Sequence, residues 1–127
     1  MADPRLGEAI GLFNQGEWYA CHDGFEALWH ETAGPMRPVL QGILQVAVAE
    51  LHLERGNHRG ATILMGEGLG RLAGCDPQAL GVDCLELRRI AGQRLAALQA
   101  DLPMAPLPLP KLVAAQPTSQ AQGGGAL

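Results

Sequence analysis

His22 and Glu26 stand four residues apart in the stretch His22-Asp23-Gly24-Phe25-Glu26-Ala27-Leu28-Trp29. On a helix, residues at i and i+4 share a face one turn apart. An imidazole and a carboxylate at that spacing can hold one metal ion between them, or hydrogen-bond to each other through either ring nitrogen. At about 100° per residue, His22 falls almost on top of Trp29, inside an apolar face formed by Trp18, Cys21, Phe25 and Leu28. Glu26 lies at the margin of that face with Tyr19 just beyond it, while Asp23 and His30 point toward solvent. A lone His-x-x-x-Glu is common by chance, and its plainest role is a satisfied polar pair where two helices touch. What lifts this one is its place on a core face.

A second set of polar residues answers the first. The run from Val39 to Leu53 is apolar nearly all round, as a central buried helix would be, yet Gln41, Gln45 and His52 fall within one strip about 40° wide. Buried polar groups without partners are costly, so the two sets are expected to face each other. The expected site is His22, Glu26, Gln41, Gln45 and His52, roofed by Trp29 and Tyr19. Two His and a carboxylate would suit zinc, iron or manganese, and a divalent metal on His22 and Glu26 is one reading. Glutamine is a poor ligand for such ions, so the two amides point rather to a hydrogen-bonding network or a small-molecule pocket. A di-iron centre would need Glu-x-x-His pairs on facing helices, and neither Glu50 nor Glu54 stands at that spacing from His52; both are expected to be solvated or paired with Arg.

Other catalytic signatures are missing. The chain has no G-x-S-x-G, no P-loop and no dinucleotide fingerprint after a strand. Gly66-Glu67-Gly68-Leu69-Gly70 looks like a glycine-rich loop but lies within a helical pattern. Cys21 adjoins His22, but neighbouring helical residues point about 100° apart and do not pair readily, so Cys21 reads as a buried structural thiol.

The elements that must position these residues are all helical. Asp3-Pro4 opens a helix over 4–14 that Gly16 stops. A second runs over 17–31 and ends at Ala33-Gly34-Pro35; Gly24 within it suggests close approach of another backbone. A third spans 37–55 and closes at Gly56-Asn57, where Asn57 caps a fourth over 58–73. Gly60 and Gly68 in the fourth suggest close packing on a neighbour. After a loop at 78–82, Asp83 caps a fifth helix, with Glu86 three residues on completing a box-like cap. Pro103 to Pro110 reads as extended polyproline-like chain whose alternating Leu side chains can pack on the bundle. The expected architecture is therefore all-α: one domain over 1–110 of about five helices with an extended Pro-rich segment, then a disordered tail over 111–127.

Composition limits the partners. The 127 residues suit one domain, and 47% hydrophobic content is enough for one core. A net charge of −4, with arginines scattered singly or in pairs, argues against nucleic acid or anionic membrane surfaces as partners. No run approaches the roughly 20 apolar residues of a membrane span, and no secretory leader is evident. Three cysteines without a C-x-x-C pair fit a reducing cytoplasm.

Three separated blocks carry a family resemblance. Phe13-Asn14-x-Gly16-x-x-Tyr19-x-x-His22-x-x-x-Glu26-x-x-Trp29, Gln41-Gly42-x-x-Gln45-x-Ala47 and Arg55-Gly56-Asn57-x-x-Gly60-Ala61 together resemble the small all-α family DUF309. That family usually has Glu directly after the His, where this chain has Asp23. The resemblance implies a compact helical bundle in which His22, Glu26, Trp29, Gln45 and Asn57 are family features, and it implies no reaction. Two functions stay open: a small-ligand- or metal-binding protein, hydrolytic or not, and a protein-interaction module whose His-Glu-Gln network only fixes helix register. Either leaves room for a homo-oligomer.

Overall fold

The computed structural model describes residues 3–116. They form α1 (Pro4–Asn14), α2 (Trp18–Glu31), α3 (Met36–Glu54), α4 (His58–Leu72) and α5 (Cys84–Gln99), with a short 3-10 turn at Ala79–Gly81 before α5. The all-α expectation holds: the one β feature among the described residues is an isolated bridge between Val82 and Ala114. Each helix packs mainly on its neighbours in sequence, and α3 lies between α2 and α4.

The helix starts follow from side-chain chemistry. The first backbone N–H groups of a helix lack partners, and a carboxylate or amide just before them supplies an acceptor. Asp3 Oδ1 accepts from Arg5 N–H at 2.9 Å, Asn57 Oδ1 from Gly60 N–H at 2.9 Å, and Asp83 Oδ1 from Glu86 N–H at 3.0 Å. Only half of the box expected at Asp83 forms, because the Glu86 carboxylate turns instead to Arg89 at 2.9 and 2.6 Å.

The core has two centres. Phe13 of α1 meets Trp18 and Phe25 of α2 edge-on, with ring centroids 5.2 and 6.4 Å apart, a favoured aromatic geometry. The other centre is α3, where Val39, Leu40, Ile43, Val46, Ala47 and Ala49 are all buried. A Cβ added at Gly68 would sit 2.9 Å from Gly42 O, and one at Gly42 would sit 3.0 Å from Gly68 O. The α3 and α4 backbones therefore come close here, with the Leu72 side chain also packed on Gly42. Gly24 admits Ala9 of α1 in the same way, a Cβ there lying 3.2 Å from that of Ala9. Gly60 has another cause: a Cβ there would lie 2.6 Å from Asn57 Nδ2, so it makes room for its own helix cap.

Of the two expectations for Glu50 of α3, solvated or paired with Arg, the structure takes the second. Glu50 is buried against Arg94 of α5, whose Nε donates to Oε2 at 2.5 Å and Nη2 to Oε1 at 2.7 Å. Arg94 Nη1 donates onward to Pro108 O at 3.0 Å. Burial pushes the Glu50 carboxyl above its ordinary range, while the Arg94 guanidinium pulls it back.

The Pro-rich segment is a strap, and the ordered chain passes the boundary expected at residue 110. Burial falls on Pro110 and Leu112, not on the alternating leucines; Leu109 is exposed. The Asn14 amide grips the Leu112 backbone, donating to its carbonyl at 3.0 Å and accepting its N–H at 2.7 Å. Asp83 N–H then donates to Val113 O at 2.8 Å, and Ala115 N–H to Gly81 O at 2.9 Å. The remainder of the expected tail, 117–127, lies outside the described residues.

Two stability experiments probe this packing. In α4, Gly66→Ala meets nothing within 4 Å and should stabilise by about 1 kcal/mol through helix propensity. Gly68→Ala, two residues on, should destabilise by about 1–3 kcal/mol through overpacking; urea melts of the pair give opposite signs. Arg94→Leu strands the Glu50 carboxylate and should cost about 3–5 kcal/mol, most of which the double variant Glu50→Leu/Arg94→Leu regains.

Candidate functional site

His22, Glu26 and Trp29 of α2, with Gln41, Leu44, Gln45 and Val48 of α3 and Leu64 of α4, line one cleft of about 310 Å³. The turns of α2 that carry His22, Glu26 and Trp29 run beside the turns of α3 that carry Gln41 and Gln45. Leu44, Val48 and Leu64 give the cleft an apolar wall.

His22 is open to solvent, its side chain 23% exposed. Among the described residues, no hydrogen bond joins it to Glu26; the carboxylate nearest its Nδ1 is that of Asp23, 3.5 Å away. Asp23 is 64% exposed, as expected of a solvent-facing position, yet it still reaches the ring. Tyr19 is exposed and stacks on the His22 ring at 6.3 Å between centroids, with planes 14° apart. Tyr19 thus flanks the cleft by way of His22 and does not line it.

Gln45 is only 8% exposed. Its Nε2 donates to Glu67 Oε1 of α4 at 3.1 Å. A carboxylate only accepts, so this bond fixes which end of the amide is which and leaves Oε1 as the free end. Gln45 Oε1 and Trp29 Nε1 are buried without hydrogen-bond partners, and both belong to residues of this cleft. A cation lies over the Trp29 indole: the Arg37 guanidinium is 4.0 Å from the ring centroid.

His52 does not join the cleft. Seven residues beyond Gln45 it lies about 10 Å farther along α3. Its Nδ1 is 3.0 Å from Asn57 Nδ2, and the same Asn57 amide caps α4. Asn57 N–H also donates to His52 O at 2.8 Å. The angular strip was right about the face but blind to the distance along the axis. His52, Asn57 and Gly60 form the corner between α3 and α4.

Two further residues adjoin the cleft, Arg37 over Trp29 and Glu67 on Gln45. Arg37 stands one turn before Gln41, so 37, 41 and 45 form an i, i+4, i+8 row that periodicity could have shown. Glu67 had no such signal, since only the Gln45 amide's need for a partner implicates it. As for a metal, no group of three or more His, Cys, Asp and Glu among the described residues converges where an ion could sit. His22 and Glu26 are a two-donor pair with the amides of Gln41 and Gln45 as neighbours in the same cleft.

Cys21 is fully buried, with Sγ 3.3 Å from Trp18 O. Burial pushes its thiol up to about 12, so it is no nucleophile for His22 to activate. At pH 8, iodoacetamide should leave Cys21 unmodified in folded protein and label it in urea, as mass mapping would show; rapid labelling of the folded form would contradict its sealed position.

Fold and cleft together define a small helical-bundle protein with a polar, partly open cleft between its second and third helices. Residues 6–64 match the family model described as Domain of unknown function (DUF309), which is consistent with the DUF309 resemblance carried by the three motif blocks. The match takes in α1 to α3 and the first half of α4, including His22, Glu26, Trp29, Gln41, Gln45 and Asn57. No curated protein matches the chain. Among the described residues no helix is long and apolar enough to cross a membrane.

Proposed function

We propose that the cleft between α2 and α3 binds a small organic molecule with an apolar body and a hydrogen-bonding end. The supporting observation is that its polar side chains are not spent on one another. Among the described residues, His22, Glu26 and Gln41 make no side-chain hydrogen bond, while lining the same cleft as Gln45 and Trp29. A network serving only to fix helix register would be satisfied internally, because half-satisfied buried networks are costly. The volume suits a ligand at the small end of the usual pocket range.

The lining contains no Ser, Thr, Cys or Lys. A hydrolytic role would therefore rest on His22 or Glu26 activating water, and binding without chemistry is the simpler assignment. The Gln45–Glu67 bond favours a share of the structural reading, since it links α3 to α4 at this level.

A fragment screen by NMR on 15N-labelled protein tests the proposal. Hits should shift signals of His22, Glu26, Trp29, Gln41 and Gln45 together. Val48→Phe, which fills the cleft from its apolar wall, and Glu26→Ala should each weaken binding about tenfold or more, with the helical circular dichroism unchanged. Hits confined to other surfaces, or hits indifferent to Val48→Phe, would remove the small-ligand reading and leave the register-fixing one.

A further inference from the structure

The corner between α4 and α5 brings together two cysteines that the cleft does not use. Cys75 follows α4 and is half-buried, while Cys84 opens α5 and is fully buried. The segment between them folds back on itself. Ala79 N–H donates to Asp76 O at 3.0 Å and Cys84 N–H to Pro77 O at 2.9 Å, so the backbone at 84 returns to a residue only two past Cys75. Cys75 packs on the core cluster that contains Cys84 and Ala79, and its side chain is a hydrogen-bonding neighbour of the Cys84 thiol. Burial first, and then this neighbouring thiol, push Cys84 up to about 12. Cys75 is the accessible member of the pair and Cys84 the enclosed one. Cys21 sits apart in α2, with Sγ against Trp18 O.

We propose that Cys75 and Cys84 form a redox-modification site, closed to an intramolecular disulfide by a small-molecule disulfide such as oxidised glutathione. The Cys75 thiolate attacks one sulfur of the reagent, breaking its S–S bond and expelling one glutathione thiolate. Cys84 then gives up its proton to solvent, and its sulfur attacks Cys75 Sγ and expels the second glutathione thiolate. Two protein thiols are oxidised, one disulfide is reduced to two glutathiones, and the two protons lost by the protein end on them. The approach from thiol contact to an S–S bond of about 2.0 Å is made by side-chain rotation. In a reducing compartment the pair stays as the dithiol and closes only when the glutathione pool turns oxidising. The bond ties the end of α4 to the first residue of α5 across the loop that anchors the strap, where Gly81 O accepts from Ala115 N–H and Asp83 N–H donates to Val113 O. A cross-link that the fold already brings together forms more readily in the native chain than in the unfolded one. By linkage it stabilises the fold by the same factor.

The test equilibrates full-length protein in glutathione buffers of stepped oxidised-to-reduced ratio, with and without urea. Samples are acid-quenched, alkylated and digested with trypsin, which leaves both cysteines on one peptide, 72–88, and Cys21 on another. In native protein that peptide should lose the mass of two hydrogens, reversibly with dithiothreitol, in a buffer about tenfold more reducing than the urea-unfolded chain requires. The oxidised protein should melt roughly 5 °C higher than the reduced one. Cys21→Ser should leave the mass loss intact. Cys75→Ser, at a half-buried position, should abolish it, and Cys84→Ser should leave glutathione standing on Cys75. Three results overturn the proposal: no mass loss in native protein, closure that needs as oxidising a buffer as in urea, or a glutathione adduct on Cys75 that never closes in the wild type.

Discussion

Arg94 joins three parts of the molecule: α5, which carries it, α3 and the Pro-rich strap. Its fork meets Glu50 of α3 along two parallel N–H···O bonds, and its remaining nitrogen reaches the carbonyl of Pro108. Burying two charges costs several kcal/mol apiece, and their attraction offsets this only when geometry is good and the other hydrogen-bonding groups are satisfied. The strap helps meet that condition. A Pro-rich segment has few N–H groups and forms no helix or sheet, so its carbonyls are free to accept. The strap carbonyl thus completes the partners of the buried guanidinium. Without the strap an Arg94 donor would be unpaired, and without Arg94 the strap would lose its link to the middle of α5.

The close contact of Gly42 with Gly68 does for one side of α3 what the ion pair does for another. With glycine at both positions, α3 and α4 approach until backbone meets Cβ position. That closeness brings Leu64 and Glu67 of α4 beside Gln45 of α3. The cleft lies on the α2 side of α3, where Trp29 and the partly exposed His22 line it opposite Gln41 and Gln45.

Much of this was legible from residue types and spacing. The helix limits follow from Asp3-Pro4, Gly16, Gly56-Asn57 and Asp83, because caps act through atoms only two or three residues away. The meeting of His22, Glu26 and Trp29 with Gln41 and Gln45 was readable too, since two polar sets on two otherwise apolar faces have few other places to go. What escaped depends on distant chain. For Glu50 the sequence left solvation and an Arg partner both open, and it could not single out Arg94, 44 residues on. Leu112 carried no sign of burial, because its anchor is the Asn14 amide, 98 residues away. His52 was misplaced for a different reason: angular periodicity has no term for distance along the axis, and the adjoining Asn57 amide had a use for the ring.

The division of polar groups around the cleft argues for binding more than the cleft's volume does. His22 keeps part of its surface in water and loses little by lacking a protein partner. Gln45 Oε1 and Trp29 Nε1 have no such relief. The fold shows elsewhere that it can pair both ends of an amide: Asn14 is matched at both ends by the Leu112 backbone, and Asn57 by Gly60 and His52. Among the described residues one buried donor and one buried acceptor stay unpaired, and both belong to residues that line this cleft, a departure from the chain's own pattern. Departures of this kind concentrate where function sets the constraint and stability is given up to meet it. A purely structural origin would predict the unpaired atoms to be scattered or absent, and here they belong to the same cleft.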